Sequence, residues 1–166
     1  MQITSSGLLY RLAAKQKLPI TIEQAWEFLS NPRNLKVITP KTMDFEIILG
    51  ADKPMFAGQI IEYTVKPFGT FKTHWVTEIT QVHAPTYFVD EQRFGPYKLW
   101  HHKHFIKEIA DGVEMEDVVD FKLPFGWLGK LLFPILVKPK LENIFKYRAK
   151  TLEALFGVYN ANFEAP

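Results

Sequence analysis

The sequence predicts a single α+β domain with one strand, two short helices, a run of antiparallel strands and a long C-terminal helix. Three observations carry this expectation. The chain has 166 residues, the size of one domain at roughly 100–200 residues each. Hydrophobic residues make up 47%, and no Ser/Gly linker, repeat or low-complexity tract divides them, so one core is expected and disorder is not. Proline and glycine cut the middle of the chain into short alternating runs, about seven strands in all, whose connections are short enough to make neighbours antiparallel.

From Leu8 to Leu18 the chain alternates, with Tyr10, Leu12, Ala14, Gln16 and Leu18 on one side and Arg11, Lys15 and Lys17 on the other. This reads as a strand ended by Pro19. Thr21 and Gln24 supply a capping box for a short helix whose Ile22, Ala25, Trp26 and Leu29 share a face. Asn31-Pro32 then provides a cap and a first-turn proline for a second short helix, which carries Leu35 and Ile38 and stops at Pro40. Strand signals follow at Asp44–Leu49, Gln59–Lys66, Phe71–Val82, Tyr87–Phe94, Leu99–Ile109 and Val113–Leu123. The breaks are Gly50 to Gly58, Pro67-Phe68-Gly69, His83-Ala84-Pro85, Gly95-Pro96 and Asp111-Gly112. Past Pro124, a short apolar helix is expected to break at Pro134. A longer helix then runs from near Pro139 to a stop at Gly157, with Leu141, Ile144, Phe145, Leu152, Leu155 and Phe156 on one face. At roughly 1.5 Å per residue it spans about 27 Å, the breadth of a sheet.

This order of elements is that of the helix-grip fold, in which a curved sheet wraps the last helix. The stretches Phe88-Val89-Asp90-Glu91-Gln92-Arg93-Phe94-Gly95-Pro96-Tyr97, Trp100-His101-His102-Lys103-His104-Phe105, Met115-Glu116-Asp117-Val118-Val119 and Ile144-Phe145-Lys146-Tyr147-Arg148 together resemble the bacterial ligand-binding branch of the START/polyketide-cyclase-like (SRPBCC) superfamily, over nearly the whole chain. The resemblance implies a cavity between the concave face of the sheet and the C-terminal helix. The 14 Phe, 6 Tyr and 4 Trp suit an apolar lining of that kind, although rings also fill solid cores.

Strand periodicity proposes the polar residues that face inward. Trp75 shares an inner face with Phe71, Thr73, Thr77 and Ile79. Phe88, Asp90, Gln92 and Phe94 form the inner set of the next strand, where a slip of one residue exchanges Asp90 for Glu91. Trp100, His102, His104 and Ile106 follow. A two-residue turn at Asp111-Gly112 sets Ile106 opposite Asp117 and His104 opposite Val119, leaving Asp117 diagonal to His104. His102, His104 and Asp117 have the types for a two-histidine, one-carboxylate metal site. Strand histidines are more often hydrogen-bonded to neighbouring acids, so no metal and no cofactor are expected. Arg148 lies on the apolar face of the last helix, where a guanidinium calls for a partner. That partner is either a structural acid (Asp90, Glu91 or Asp117) or a polar group on a ligand.

The expected site is therefore Trp75, Phe94 and Trp100 as walls, with Asp90, Gln92, His102, His104, Asp117 and Arg148 as polar contacts or network. The expected function is binding of a small, largely hydrophobic molecule of lipid, polyketide or aromatic type. One alternative is a cyclase- or dehydratase-like enzyme with His102 or His104 as acid/base, oriented by Asp117 or Asp90. Another is an interaction module with a solid core. Several chemistries are disfavoured. There is no cysteine, so thiolate metal sites and thiol nucleophiles are excluded. Serine occurs only at Ser5, Ser6 and Ser30, outside any nucleophile elbow, and no glycine cluster cradles phosphate. A net charge of +2 gives no nucleic-acid footprint. The N-terminal residues lack the pattern of a secretory signal, and a cytoplasmic monomer or homodimer is expected. Trp127–Val137 is too short to span a bilayer. Followed by Lys138 and Lys140 it has the composition of a membrane-touching lid, although packing against its own domain is the expected outcome.

Overall fold

Two strands, rather than one, open the chain in the computed structural model, which describes residues 1–67 and 71–160. β1 (Gln2–Ser6) and β2 (Leu9–Leu18) form a hairpin whose turn places Gly7 at φ 60°, a left-handed conformation that favours a residue without Cβ. β1 carries a single large apolar side chain, Ile3, and so has no alternation by which to read it. α1 (Ile22–Leu29) starts at the expected capping box: the Gln24 N–H donates to Thr21 Oγ1 and the Thr21 N–H to Gln24 Oε1. Short 3-10 turns at Pro32–Lys36, capped by Asn31, and at Lys41–Met43 carry the chain to the far edge of the sheet.

There β3 (Glu46–Leu49), β4 (Gln59–Val65), β5 (Thr73–His83), β6 (Tyr87–Phe94), β7 (Leu99–Ile109) and β8 (Gly112–Lys122) run back as an antiparallel meander. The Phe68-Gly69 part of the expected turn lies outside the described residues. The last strand pairs with β2, giving one eight-stranded sheet of order β1-β2-β8-β7-β6-β5-β4-β3, one strand more than expected. A Cβ on Gly112 would sit 2.1 Å from the Leu18 carbonyl oxygen, so only glycine lets the start of β8 pass the end of β2.

Pro134 does not end the helix that follows. α2 (Gly126–Leu132) runs into one π-helical turn, Phe133–Val137, and then into α3 (Lys138–Phe156). Pro134 lies at the start of the π turn, where the regular i to i−4 hydrogen-bond ladder is interrupted and a residue without an N–H is accommodated. α3 buries Leu141, Phe145, Arg148 and Leu152, a 4-3-4 spacing that aligns them on one stripe. Leu141 and Phe145 pack with Leu12, Val119 and Phe121. Leu152 packs with Leu18, Ile106, Val113 and Met115. Gln16 Nε2 donates to the Ala149 carbonyl at 2.8 Å and ties β2 to this helix. A third cluster, Met43, Phe45, Ile61, Tyr63, Val65, Trp75 and Ile79, fills the β4–β5 end of the concave face. Among the described residues no helix is long and apolar enough to cross a membrane.

Candidate functional site

The three apolar clusters do not close on one another. They leave a cavity of about 190 Å³ between the sheet and α3, lined by apolar side chains from the 3-10 turns, β4, β5 and α3. At its polar end stand Asp90, His102, His104 and Arg148, and Lys140 lies near the start of α3. Eight residues of helix separate Lys140 from Arg148, which puts the two cations about 12 Å apart along the axis. Trp75 and Trp100 line the wall and meet edge to face with ring centroids 5.5 Å apart.

The β7–β8 register decides which acid meets the histidines. Ile109 pairs with Gly112, so the two-residue loop is Ala110-Asp111, with Asp111 at φ 60°. Relative to a loop at Asp111-Gly112 every pair moves by two residues. The same faces point inward, but Asp117 comes directly opposite His104 instead of diagonal to it. Asp117 Oδ1 lies 3.1 Å from His102 Nε2, 2.8 Å from His104 Nδ1 and 3.2 Å from Arg148 Nη2. The His104 approach is close but poorly aligned for a hydrogen bond, so it acts mainly through charge. Asp117 therefore sits behind the histidines, off the cavity lining, and of the two expected parts, ligand contact or polar network, it takes its place in the network. On the cavity side Asp90 Oδ2 lies 2.8 Å from His104 Nε2 and 3.6 Å from His102 Nδ1. The two imidazoles stack at 3.7 Å, and Phe88 covers His104 at 4.1 Å.

His102, His104 and Asp117 are buried and Asp90 is partly buried, and their ionisation follows from their neighbours. Burial works against the Asp117 carboxylate, but adjacent Arg148, the hydrogen bond from His102 and the charge of His104 hold its pKa well below the usual range. Burial opposes the Asp90 charge too and is outweighed by the hydrogen bond to His104 and the nearby cations, so Asp90 is also lowered. Desolvation, reinforced by neighbouring His104, lowers His102 and favours its neutral form. Desolvation works against His104 as well, yet Asp117 and Asp90 overcome it and raise its pKa. Two carboxylates, one guanidinium and a protonated His104 sum to zero, the condition for keeping charge inside a protein.

Two expected wall or contact residues lie elsewhere. Phe94 is 71% exposed. The strand pairing passes from Thr77↔Gln92 to Val76↔Phe94, so a β-bulge at Arg93 breaks the alternation and turns Phe94 to the outer face with Val76. Gln92 faces inward but is committed to the β6–β7 loop: its Nε2 donates to the Tyr97 carbonyl at 2.7 Å and its Oε1 accepts the Tyr97 N–H. Sequence reading placed Thr77 on the inner face without choosing it for the site and missed Tyr63; their hydroxyls lie 3.0 Å apart in the cavity wall. Inner-face alternation in β4 and β5 contained that signal. The remaining lining from the 3-10 turns has no periodicity to reveal it.

The chain matches no protein-family model and no curated protein. Solved structures do match. A Mycobacterium smegmatis protein superposes with a TM-score of 0.64 at 17% identity, over 93% of this chain and 98% of that one. An Arthrobacter aurescens protein reaches 0.68 at 12% identity over 99% and 98%. Major latex-like protein 151 of Panax ginseng reaches 0.66 at 11% identity, over 90% and 99%. With the eight-stranded sheet around α3, these likenesses decide the architecture. The fold is a helix grip. At such low identity the neighbours speak for the fold alone. In this helix grip the concave face carries both the cavity and the buried charges, so any chemistry of the site is set by this chain's own residues.

Proposed function

We infer that the protein binds a small, largely hydrophobic molecule in the cavity between sheet and α3. The observation that carries this reading is an apolar cavity ending on polar groups, Asp90, His102, His104 and Arg148, paired with one another or with Asp117 behind them. A binding site of this form takes an apolar body and orients it through one hydrogen-bonding end. Because the paired charges cancel, a neutral carbonyl or hydroxyl fits that end. The resemblance to the bacterial ligand-binding branch of the START/polyketide-cyclase-like superfamily supports the same reading. Turnover is less well supported. An acid/base imidazole needs a nitrogen free for substrate, and three of the four ring nitrogens lie within 3.1 Å of a carboxylate.

Titration with the neutral fluorophore N-phenyl-1-naphthylamine tests the reading. Saturable binding at one site is expected, and Leu35→Trp, which places a ring in the cavity lining, should weaken it by at least about tenfold, or ~1.4 kcal/mol, with thermal stability retained. Native mass spectrometry of freshly purified protein should show a co-purified small molecule. Absence of saturable binding, or binding indifferent to Leu35→Trp, overturns the proposal.

The segment beside Lys140 extends this reading to how the molecule is acquired. The expectation that Trp127–Val137 packs on its own domain holds for part of the segment: Phe133 and Val137 pack into the core, whereas Trp127 is 76% and Ile135 68% exposed, and Phe125 and Leu131 are exposed beside them. Trp127, Leu131 and Ile135 recur every fourth residue, and no acid occurs between Asp120 and Glu142, where four lysines stand. An apolar helical face flanked by lysines fits an anionic lipid surface. Co-flotation with phosphatidylcholine/phosphatidylglycerol vesicles is expected, weakened by high salt and abolished by Trp127→Ser with Ile135→Ser. Failure to float overturns the lipid reading, and a dimer that dissociates in the double variant assigns the face to self-association instead.

A further inference from the structure

We propose that Asp90, His102 and His104 form a binding site for a divalent first-row metal ion at the polar end of the cavity. The three side chains offer ligand atoms that all lie within 4.8 Å of one another, and all three line the cavity.

The spacing is the first argument. Asp90 Oδ2 lies 2.8 Å from His104 Nε2 and 3.6 Å from His102 Nδ1. Metal–ligand bonds of about 2.0–2.2 Å set neighbouring donor atoms roughly 3.0–3.5 Å apart. The two carboxylate–imidazole separations bracket that range and the two imidazole nitrogens lie within 4.8 Å of each other, so side-chain adjustment alone brings the three donors around an ion.

The orientation of the rings is the second argument, and it is independent of the first. Each imidazole turns one nitrogen to Asp90 on the cavity side and the other to Asp117 on the strand side. Asp117 Oδ1 lies 3.1 Å from His102 Nε2 and 2.8 Å from His104 Nδ1. Metal-bound histidines characteristically pass their far nitrogen to a carboxylate, which fixes the tautomer and aims the near nitrogen at the ion. One aspartate serves both rings here, and Arg148 Nη2, 3.2 Å from the same oxygen, keeps that aspartate from competing as a ligand.

Charge and access agree. The ion takes the place of the His104 proton: with both imidazoles neutral, Asp90, Asp117 and Arg148 sum to −1, a negative site open to a cation through the cavity. Two imidazoles and one carboxylate suit the Fe2+ to Zn2+ series, and three protein donors on one side leave the cavity-facing positions open for a small molecule. Tetrahedral Zn2+ leaves one such position and an octahedral ion three. This site is separate from the lipophilic wall and stands whether or not the cavity takes an apolar molecule.

The test uses the full chain, stripped with a chelator and titrated with Zn2+ by calorimetry and with Co2+ by visible absorption. One Zn2+ per chain is expected, together with Co2+ d–d bands of a nitrogen–oxygen ligand set. Asp90→Asn, which keeps the shape of the side chain, and His104→Gln should each weaken Zn2+ binding by at least about 100-fold. Asp117→Asn keeps all three ligands and should weaken it about 10–100-fold, the range for outer-shell partners. His74→Gln, which changes an exposed histidine, should leave it unchanged. Circular dichroism identifies any variant that fails to fold. Absence of stoichiometric binding to the wild-type chain at micromolar Zn2+, or binding retained in folded Asp90→Asn, overturns the proposal.

Discussion

Asp117→Asn is expected to cost roughly 3–5 kcal/mol of stability at neutral pH, the range for removing one partner of a buried ion pair. The side chain keeps its size, so the loss isolates charge. Without the Asp117 carboxylate, Arg148 and protonated His104 face only Asp90, and the buried set gains one net positive charge. Arg148→Met leaves the opposite imbalance and should cost a similar amount. The double variant should lose less than the sum of the singles by at least ~1 kcal/mol, because each change removes the partner the other leaves stranded. Urea unfolding of the four proteins measures the coupling, and strictly additive losses would falsify the network. Arg148→Met has a second readout. If the fluorophore binds it unchanged, Arg148 is structural and takes no part in recognition.

The same aspartate fixes the sign of an acid effect. Its folded-state pKa lies well below the usual carboxylate value of 3.8. The stabilisation it provides is therefore complete above the unfolded-state pKa and is lost as pH falls from about 4 towards the folded value. His102, lowered by burial, acts in the same direction at higher pH, since the unfolded chain takes up its proton as pH falls through about 6.5. His104, raised by its carboxylates, acts oppositely: it stabilises below about 6.5 and loses that contribution as pH rises through its own elevated pKa. Asp117→Asn should flatten the limb below pH 4 and leave wild type and variant closest in stability at the acid end.

The particular residues show how much of this was legible beforehand. Strands β6 and β7 have the bounds read from sequence because Pro85, Gly95 and Pro96 punctuate them and because His102, His104 and Ile106 alternate with less buried neighbours. Arg148 stood out for a physical reason: a guanidinium on an apolar stripe must be paired, and the structure buries it beside Asp117. What escaped was whatever depends on one residue's backbone. Asp-Gly is a common hairpin pair, but here Asp111 supplies the left-handed residue and Gly112 already belongs to the strand. That choice moves Asp117 from a diagonal neighbour of His104 to its direct partner. A bulge at Arg93 turned Phe94 outward by the same kind of local change. The contribution of the 3-10 turns to the cavity was illegible because loops that pack through isolated side chains leave no period in the sequence.

Phe121→Ala should produce a loss of comparable size by a different mechanism. Phe121 is fully buried and is the ring on which several elements meet: it lies 5.4 Å from Tyr10, 5.8 Å from Tyr97, 5.9 Å from Trp100 and 6.2 Å from Phe133. These rings come from β2, the β6–β7 loop, β7 and the π-helical turn, so the side chain joins the sheet to the arm that leads into α3. Replacing a buried Phe by Ala costs about 3–5 kcal/mol, the spread depending on how far the site collapses. In a chain of this length, at roughly 2–4 °C per kcal/mol, the melting temperature should fall on the order of 10 °C. The direction of collapse is also testable. If Trp100 moves into the vacated space, its fluorescence shifts and the fluorophore binds less tightly, because Trp100 is also a cavity wall. If the surrounding rings hold their places, an apolar void remains, and benzene or indole should bind it and recover part of the lost melting temperature. A loss below about 1.5 kcal/mol, outside the range for a buried ring, would show that this contact is not what couples the sheet to the arm.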